Sequence, residues 1–391
     1  MMHPIKLFTN LFFLFPFTSY ALTIDSYLEK AHDGAVFGFN DFNTGATENE
    51  WSSNWTDDMN FRIDSNNSYS LRMRPKFGDE RQAETSIYNA NRQKKKIYNQ
   101  KALNDDLLQR YLNVLDIIDL KLNHIHLKKS KSLLEAKFEA ERSLSKSTDF
   151  DTERMQTLVY ELDRTSSQLT LIDQRIEMLM DSIEVARTEN SNALVSRLIN
   201  PGYIYNTVEY YNEQILNVKS MPAVKLAELD KKISQSRLEL LESQESFGLD
   251  LVELELAGVD SVGVMFGFRF PDRNTAKRLD RNSDKSKSYI DYMSTHSRMN
   301  SSLSRKLSDI KWDYSAWESD HNALQKLEKI ISTPRKIQDY GVMINLKNQQ
   351  LALSKNIDII HIRMIKNFIE LLHMSGLLSQ SSFKNWLIDT Q

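Results

Sequence analysis

The chain has 391 residues, no cysteine, and 50 basic against 53 acidic residues, for a formal net charge of -3. The absence of cysteine excludes disulfide staples and thiol chemistry. The balanced charge gives no electrostatic reason to expect a nucleic-acid partner. Only 11 glycines and 7 prolines interrupt the sequence, and they cluster near the predicted turns. Long helices therefore account for the chain better than two or three compact domains.

Residues 1–21 have the pattern of a secretory signal peptide. Lys6 precedes the apolar run Leu11–Phe17, and the small residues Ser19 and Ala21 precede a cleavage site. This run is shorter than the roughly 20 residues that a spanning helix needs, so we expect a cleaved signal, not an anchor, and an exported protein. No later segment reaches spanning length as an apolar helix, so any membrane insertion is expected through strands.

A first hairpin is predicted at about 57–74. Apolar and polar residues alternate on both sides of a turn at Ser65–Asn67, and this period of two predicts two antiparallel strands. Pro75 fits the end of the second strand, because proline cannot donate to a ladder. The apolar positions are Met59, Phe61 and Ile63, then Tyr69, Leu71 and Met73.

Two long helices are predicted next, at about 78–145 and 151–188. Apolar residues recur at alternating steps of three and four, from Leu108 to Ile125 in the first and from Met155 to Ile183 in the second. A 3.5-residue repeat predicts coiled-coil packing. At 1.5 Å per residue the first helix would be roughly 100 Å long. The turn between the helices is expected to carry an N-cap at Asp149 or Asp151.

The same order returns in the second half, so we interpret the chain as a duplication. A hairpin at about 249–270 and Pro271 precede helices at about 273–332 and 340–375, whose turn contains Pro334. A further helical segment, Pro222 to about Ser246, precedes this hairpin. The predicted organisation is a signal peptide at 1–21, a first repeat at 22–200, a second repeat at 201–376 and a C-terminal tail at 377–391.

The last strand of the second hairpin has one face that is entirely apolar. Its other face is small or polar and ends in Arg269. This pattern suits a membrane barrel, with lipid outside and water inside, and the alternative is an ordinary sheet that packs one face on a core. Glu253, Glu255 and Arg269 favour the barrel, because a soluble core would bury their charges at considerable cost. The predicted lipid-facing residues are Val262, Val264, Phe266, Phe268 and Phe270.

No catalytic, cofactor-binding or metal site is predicted. The eight histidines are scattered, and His124 and His126 fall on different faces of one helix. No zinc signature or glycine-rich phosphate loop stands out. We therefore expect neither enzymatic activity nor a cofactor.

Taken in order, these segments resemble the TolC-like outer-membrane efflux protein family. The resemblance covers most of residues 22–376, and it is the order of the segments that is specific. One departure is Asp33–Asp58, rich in Gly, Asn, Thr and Trp, where the family usually has a long helix. Another is the absence of the usual glycine at the first hairpin tip. The matching segments are Leu22–Ala31, Tyr69–Phe77, Ser143–Asp151, Val262–Pro271 and Leu351–Gly376.

The resemblance implies a mainly α fold with a small β part. Long antiparallel coiled-coil helices would form a periplasmic α-barrel, and four β-strands per chain would contribute to a shared trimeric outer-membrane β-barrel. Four strands are too few for a barrel in one chain, since the smallest membrane barrels have about eight. The implied partners are two further copies in a homotrimer, a periplasmic membrane-fusion adaptor, an inner-membrane pump and outer-membrane lipid.

The implied function is a passive conduit, the outer-membrane channel of a tripartite efflux or type I secretion system. An exported periplasmic coiled-coil scaffold or adaptor without channel activity is the alternative, because heptads alone are typical of either. The family closes its tunnel through charged and tyrosine links at the hairpin turns, and a ring of carboxylates there would favour cations. Capping and solvated turn residues are the alternative reading. The predicted gate residues are Asp149, Asp151, Arg154, Arg335, Asp339 and Tyr340.

Overall fold

The computed structural model describes most of the predicted helices and strands. The predicted signal peptide at 1–21 and segment 33–55 lie outside the described residues, as does most of the turn at 332–340. The described residues are 23–31, 56–63, 68–143, 151–183, 197–210, 217–257, 261–270, 275–332, 340–379 and 384–388.

The first half of the chain contains one hairpin and two long helices. A short helix, α1, covers 24–31. Strands β1 (Thr56–Ile63) and β2 (Ser68–Pro75) are followed by α2 (Gly78–Ser143) and α3 (Thr152–Ser182). Helix α2 has 66 residues, and at 1.5 Å per residue it is about 100 Å long.

The second half has the same order, preceded by two further helices. These are α4 (Pro201–Tyr210) and α5 (Pro222–Gln244). Strands β3 (Gly248–Ala257) and β4 (Ser261–Arg269) are followed by α6 (Thr275–Ile331) and α7 (Tyr340–Ser375). Helix α2 packs against α3, α5 and α7, and α6 packs against α5 and α7. The prediction of a mainly α chain with long antiparallel helices and four strands is confirmed.

The helix ends show why the chain turns where it does. Asp151 is the N-cap of α3, and its carboxylate accepts hydrogen bonds from the backbone N–H of Glu153 at 3.0 Å and of Arg154 at 3.1 Å. Helix α7 ends at Gly376, whose φ of 77° is a left-handed conformation that favours glycine. A Cβ at Gly376 would lie 2.9 Å from Cγ of Pro222, so close packing also requires glycine here.

The hydrophobic core lies midway along α2 and α6. It combines these middle parts with α1, the C-terminal end of α3, α4, the start of α5 and the C-terminal half of α7. Its largest fully buried side chains include Tyr111, Leu115, Ile118, Ile204 and Phe368. Among the described helices, none is both long and apolar enough to cross a membrane.

Polar contacts reinforce the α2–α7 and α6–α7 seams beside this core. His373 Nε2 lies 2.7 Å from Asp105 Oδ1, and Lys366 Nζ lies 2.8 Å from Asp116 Oδ1. Between α6 and α7, Nε of Arg363 donates to both oxygens of the buried Asp313, at 2.9 and 3.0 Å. Ion pairs of this kind fix the register of the helices more than they add net stability.

We predict that the fold becomes less stable as the pH falls through the histidine range. Burial lowers the pKa of His361, although a 2.7 Å hydrogen bond to the carbonyl oxygen of Ile199 and the charge of Asp358 oppose the shift. Because the folded state favours the neutral ring, the unfolded chain binds more protons. The resulting stability is complete above the ordinary pKa of about 6.5 and is lost below it.

The measurement is the thermal midpoint of unfolding, followed by circular dichroism at acidic and at neutral pH. His361→Gln keeps a donor near Ile199 and does not titrate, so its midpoint should fall less in acid than that of the wild type. An equal fall in both proteins would contradict the assignment.

Candidate functional site

The four strands form one antiparallel sheet in the order β1-β2-β3-β4. Each hairpin supplies two neighbouring strands, and β2 pairs with β3 to join the halves of the chain. In that pair Tyr69 is opposite Leu256, and Met73 is opposite Val252. Because side chains alternate along a strand, this register decides which residues of the two hairpins share a face.

The register gathers the apolar residues of both hairpins on a single face, which we call the apolar face. Each of its three complete rows crosses all four strands. The rows are Ile63, Tyr69, Leu256 and Val262; Phe61, Leu71, Leu254 and Val264; and Met59, Met73, Val252 and Phe266.

The apolar face is largely uncovered in the single chain. Its exposed members come from both hairpins, and Phe266 alone leaves 56% of its surface accessible. Contiguous apolar patches of this kind mark binding or membrane surfaces. All five residues predicted to face lipid, Val262, Val264, Phe266, Phe268 and Phe270, are exposed, and so are Met59, Phe61, Ile63 and Tyr69 of the first hairpin.

The opposite face of the sheet is polar. Arg72 lies directly between Asn60 and Glu253, in a row that ends at Met265. The neighbouring row contains Arg62, Ser70, Glu255 and Gly263. Opposite charges on adjacent strands suit a face in contact with water.

Two glycines of β4 on this polar face differ in the space around them. A Cβ at Gly267 would lie 2.9 Å from Cβ of Leu251, so a side chain there forces a shift. At Gly263 the nearest atom would be Cβ of Glu255, at an ordinary 3.8 Å. The polar face is therefore crowded near the helices and open toward the far end of β4.

Ionic contacts fix the sheet to the helices. Arg74 Nε lies 3.4 Å from Asp250 Oδ1, and its guanidinium lies 3.8 Å from the buried carboxylate of Glu80 in the first turn of α2. Nε2 of Gln244, in α5, donates to the same Glu80 oxygen at 3.2 Å. Lys76 donates to both carboxylate oxygens of Glu84, at 2.7 and 3.0 Å.

Aromatic rings lie at the same junction, the end of the sheet that meets the helices, on the side of the apolar face. The ring of Phe247 stacks on Phe268, with centroids 6.1 Å apart, and meets Phe270 edge-on at 5.8 Å. Phe247 is not among the residues predicted from the sequence, although an aromatic residue directly before an alternating segment is a signal that could have identified it. At this end of the sheet, apolar rings and charged side chains therefore lie within one or two residues of each other along the strands.

The turns between the paired long helices, α2–α3 and α6–α7, contain the predicted gate, and only part of it lies within the described residues. Asp151 caps α3, as described above, and Nε of Arg154 lies 3.4 Å from the buried carboxylate of Glu141 in α2. Asp149, Arg335 and Asp339 lie outside the described residues. Tyr340 is the first residue of α7, and its side chain is also outside the described part. Of the six gate candidates, the described part of the structure places the side chains of Asp151 and Arg154 only.

Metal-binding side chains are not clustered in the part of the chain that the structure describes. No group of three or more His, Cys, Asp or Glu side chains there is placed to hold an ion. His124 and His126 point to different neighbours, with Nε2 at 3.1 Å from Asp173 and 2.7 Å from Asp358.

Comparison with known proteins relates this arrangement to a group of solved structures. No protein-family model and no curated protein sequence matches the chain. The outer membrane protein VceC from Vibrio cholerae is similar, with a TM-score of 0.63 and 9% identity over 90% of this chain and 96% of VceC.

Two further solved structures are similar over comparable lengths. CusC, described by its conformational changes on folding and transmembrane channel formation, has a TM-score of 0.59 and 10% identity over 90% of this chain and 92% of its own. The CmeC outer membrane channel of Campylobacter jejuni has a TM-score of 0.53 and 9% identity, covering 95% and 85%. At this level of identity the likeness concerns the fold. The chain thus has the fold of these solved structures, with long helices and a small sheet, as the order of its segments predicted.

Proposed function

We propose that the chain is one subunit of a trimeric outer-membrane channel that extends into the periplasm. The observation that carries the proposal is the apolar face, which spans all four strands and lies at one end of the long helices. A bilayer is the environment that covers such a face while water contacts the charged face behind it.

The edges of the sheet support assembly from several copies. Within the described sheet, β1 and β4 each pair with one neighbour only, and they run in opposite directions. β4 of one copy can therefore pair in antiparallel fashion with β1 of the next. Closing the sheet in this way leaves no unpaired edge, which is the condition for strands in lipid. Three copies would supply twelve strands, four from each.

The height of the apolar face agrees with a membrane. From Val262 to Phe270 the chain advances eight residues, about 26 Å at 3.3 Å per residue, or about 20 Å when tilted by about 40°. Apolar bands of membrane barrels are about 25 Å tall. Aromatic residues Phe247 and Phe270 lie where the band meets the charged junction, the position of an interfacial girdle.

The helices offer a second surface for the same copies. Exposed apolar side chains continue along α3 and α6, outside the central core, and burial against neighbouring helices would remove them from water. They include Tyr160, Leu171 and Met178 on α3, and Leu279, Ile290 and Trp312 on α6.

In this proposal the channel is a passive conduit without catalytic residues or cofactors. A periplasmic membrane-fusion adaptor and an inner-membrane pump would supply the substrate and the energy, as in tripartite efflux or type I secretion. A periplasmic scaffold without channel activity is the competing function. The apolar face disfavours it, because a scaffold in water would have to cover this surface.

Neighbouring residues of β4 provide a matched test of the lipid-facing side. Phe266 and Met265 are exposed to almost the same extent, 56% and 57%, on opposite faces of one strand. Phe266→Arg should destabilise the assembled channel by about 2–4 kcal/mol if the residue lies near mid-bilayer. Met265→Arg, on the water-facing side beside Glu253, should be tolerated. Heat-resistant oligomer in outer-membrane fractions is the measurement.

Gly267→Arg is a poor control, because its Cβ would already crowd Leu251. Equal loss of oligomer in Phe266→Arg and Met265→Arg would contradict the assignment of faces. Recovery of the wild-type protein in a soluble periplasmic fraction would instead favour the scaffold.

Oligomeric state is a separate prediction. The protein purified in mild detergent should have the mass of three chains, since four strands close into a barrel only with other copies. Light scattering combined with size exclusion measures this mass. A folded monomer that retains its strand content would contradict a shared barrel.

The gate is proposed at the hairpin turns, from Asp149, Asp151, Arg154, Arg335, Asp339 and Tyr340. Three-fold symmetry would place each carboxylate in a ring of like charges, which favours cations. Changing Asp149, Asp151 and Asp339 together to Asn should lower cation selectivity and weaken block by multivalent cations in planar bilayers. Asparagine also caps helices well, so α3 should keep its N-terminus. Unchanged selectivity would assign these residues to capping alone.

A further inference from the structure

The C-terminal segment 384–388 is docked against Tyr111, in the middle of α2. The Tyr111 hydroxyl donates to the carbonyl oxygen of Lys384 at 2.9 Å and accepts from the backbone N–H of Trp386 at 3.3 Å. Tyr111 is 1% exposed. Burial raises the pKa of its phenol, with a smaller contribution from the charge of Asp25. The hydroxyl therefore has its hydrogen bonds supplied by the backbone of the C-terminal segment, away from water.

The same segment contacts two more parts of the chain. Asn385 donates through Nδ2 to the carboxylate of Asp25 in α1, and its Oδ1 accepts from the N–H of Leu387 at 2.9 Å. The carbonyl oxygen of Leu387 accepts from the N–H of Ile199 at 2.8 Å. An isolated β-bridge between Leu198 and Ile388 continues this pairing.

Apolar contacts complete the docking. Leu387 is buried in the central core, and Trp386 meets Phe368 of α7 edge-on, with centroids 6.1 Å apart. The ammonium group of Lys384 lies 4.0 Å from the centroid of the Trp386 ring. Along residues 384–388, the buried Asn385 and Leu387 thus alternate with more exposed residues.

We propose that residues 384–388 form an intramolecular clasp, for which Tyr111 and its surroundings are a specific peptide-binding site. The clasp joins α1, α2, α7 and the segment before α4 at one level of the molecule. Its release would leave the Tyr111 hydroxyl buried without partners and would uncover Leu387 and Trp386, and both changes are costly. Docking of the C-terminal peptide therefore locks the central core and fixes the separation of α2 and α7 there. The inference concerns a single chain and holds whether or not that chain forms a channel.

Point variants of the full chain test the clasp by hydrogen exchange with mass spectrometry. Tyr111→Phe keeps the ring and removes the hydroxyl, and Trp386→Ala removes the contact with Phe368. Each should speed amide exchange about tenfold or more in 24–31, 107–118 and 197–210, since a lost buried partner shifts local opening by about that factor. Exchange in β1–β4 and in 128–143 should be unchanged. Tyr98→Phe, an exposed tyrosine on the same helix, is the matched control.

A deletion pair distinguishes peptide recognition from a general effect on packing. Removing 384–391 should reproduce the faster exchange, whereas removing only 389–391 should not. Adding a synthetic peptide of residues 384–391 to the longer deletion should restore protection, and a scrambled peptide should not. The clasp is overturned if Tyr111→Phe exchanges like Tyr98→Phe, or if the two deletions behave alike. Failure of the native-sequence peptide to restore protection would also overturn the peptide-binding site.

Discussion

The pairing of β2 with β3 is the interaction on which the remaining arrangement depends. Each hairpin alone has only two strands, so neither of its faces is wide enough to form a broad apolar surface. When Leu71 is paired with Leu254, the two hairpins add to one sheet and their apolar residues fall on one side. A slip by one residue would put Arg72 opposite Leu254 and mix charged with apolar side chains on both faces. The register is therefore strongly specified by the chemistry of the faces.

The contacts where the sheet meets the helices also constrain the position of the helices. Glu80 is buried between β2 and α5, where it meets Arg74 and Gln244. A buried carboxylate with partners on a strand and on another helix tolerates little rotation of α2. Farther along the helices, the central core and the clasp around Tyr111 hold the same helix again. Helix α2 is thus fixed at two levels, and its distal third extends beyond both toward the turn.

The sequence predicts the helices and strands better than it predicts which of them contact each other, and where. Alternation of apolar residues gives the two hairpins, and heptads give the long helices, because both signals are local. The level of the core is not visible in the same pattern: the heptads of α3 run from Met155 to Ile183, whereas only its C-terminal end, with Met180 and Ile183, joins the core. The role of Tyr111 is equally hidden, because its partners come from a C-terminal segment without periodicity. The pairing of β2 with β3 depends on residues far apart in sequence, which neither of these local signals links.

The two candidate surfaces, the apolar face and the gate, also differ in how far the sequence alone predicts them. The apolar side of β4 could be predicted from alternation alone, and the structure places the apolar residues of the first hairpin on the same face, with Phe247 stacked on Phe268. The gate residues rest on the family resemblance, because turn residues carry no periodic signal. Of those six, Asp151 and Arg154 have observed partners, namely the backbone of α3 and Glu141. Those contacts explain both residues as parts of a helix start.

The long separation between β2 and β3 also has a consequence for the order of folding. Ser68 and Ala257 are partners about 190 residues apart, and closing such a loop costs about 3 kcal/mol more entropy than closing a tight hairpin. Packing of α5 along α2 brings the ends of that loop together, so the helices are expected to associate before the sheet forms. Until the sheet forms, β2 and β3 each have an unpaired edge, and the apolar residues of each hairpin are exposed. Such a high-contact-order sheet is vulnerable to aggregation in transit, and holding the hairpins apart is a task suited to a chaperone.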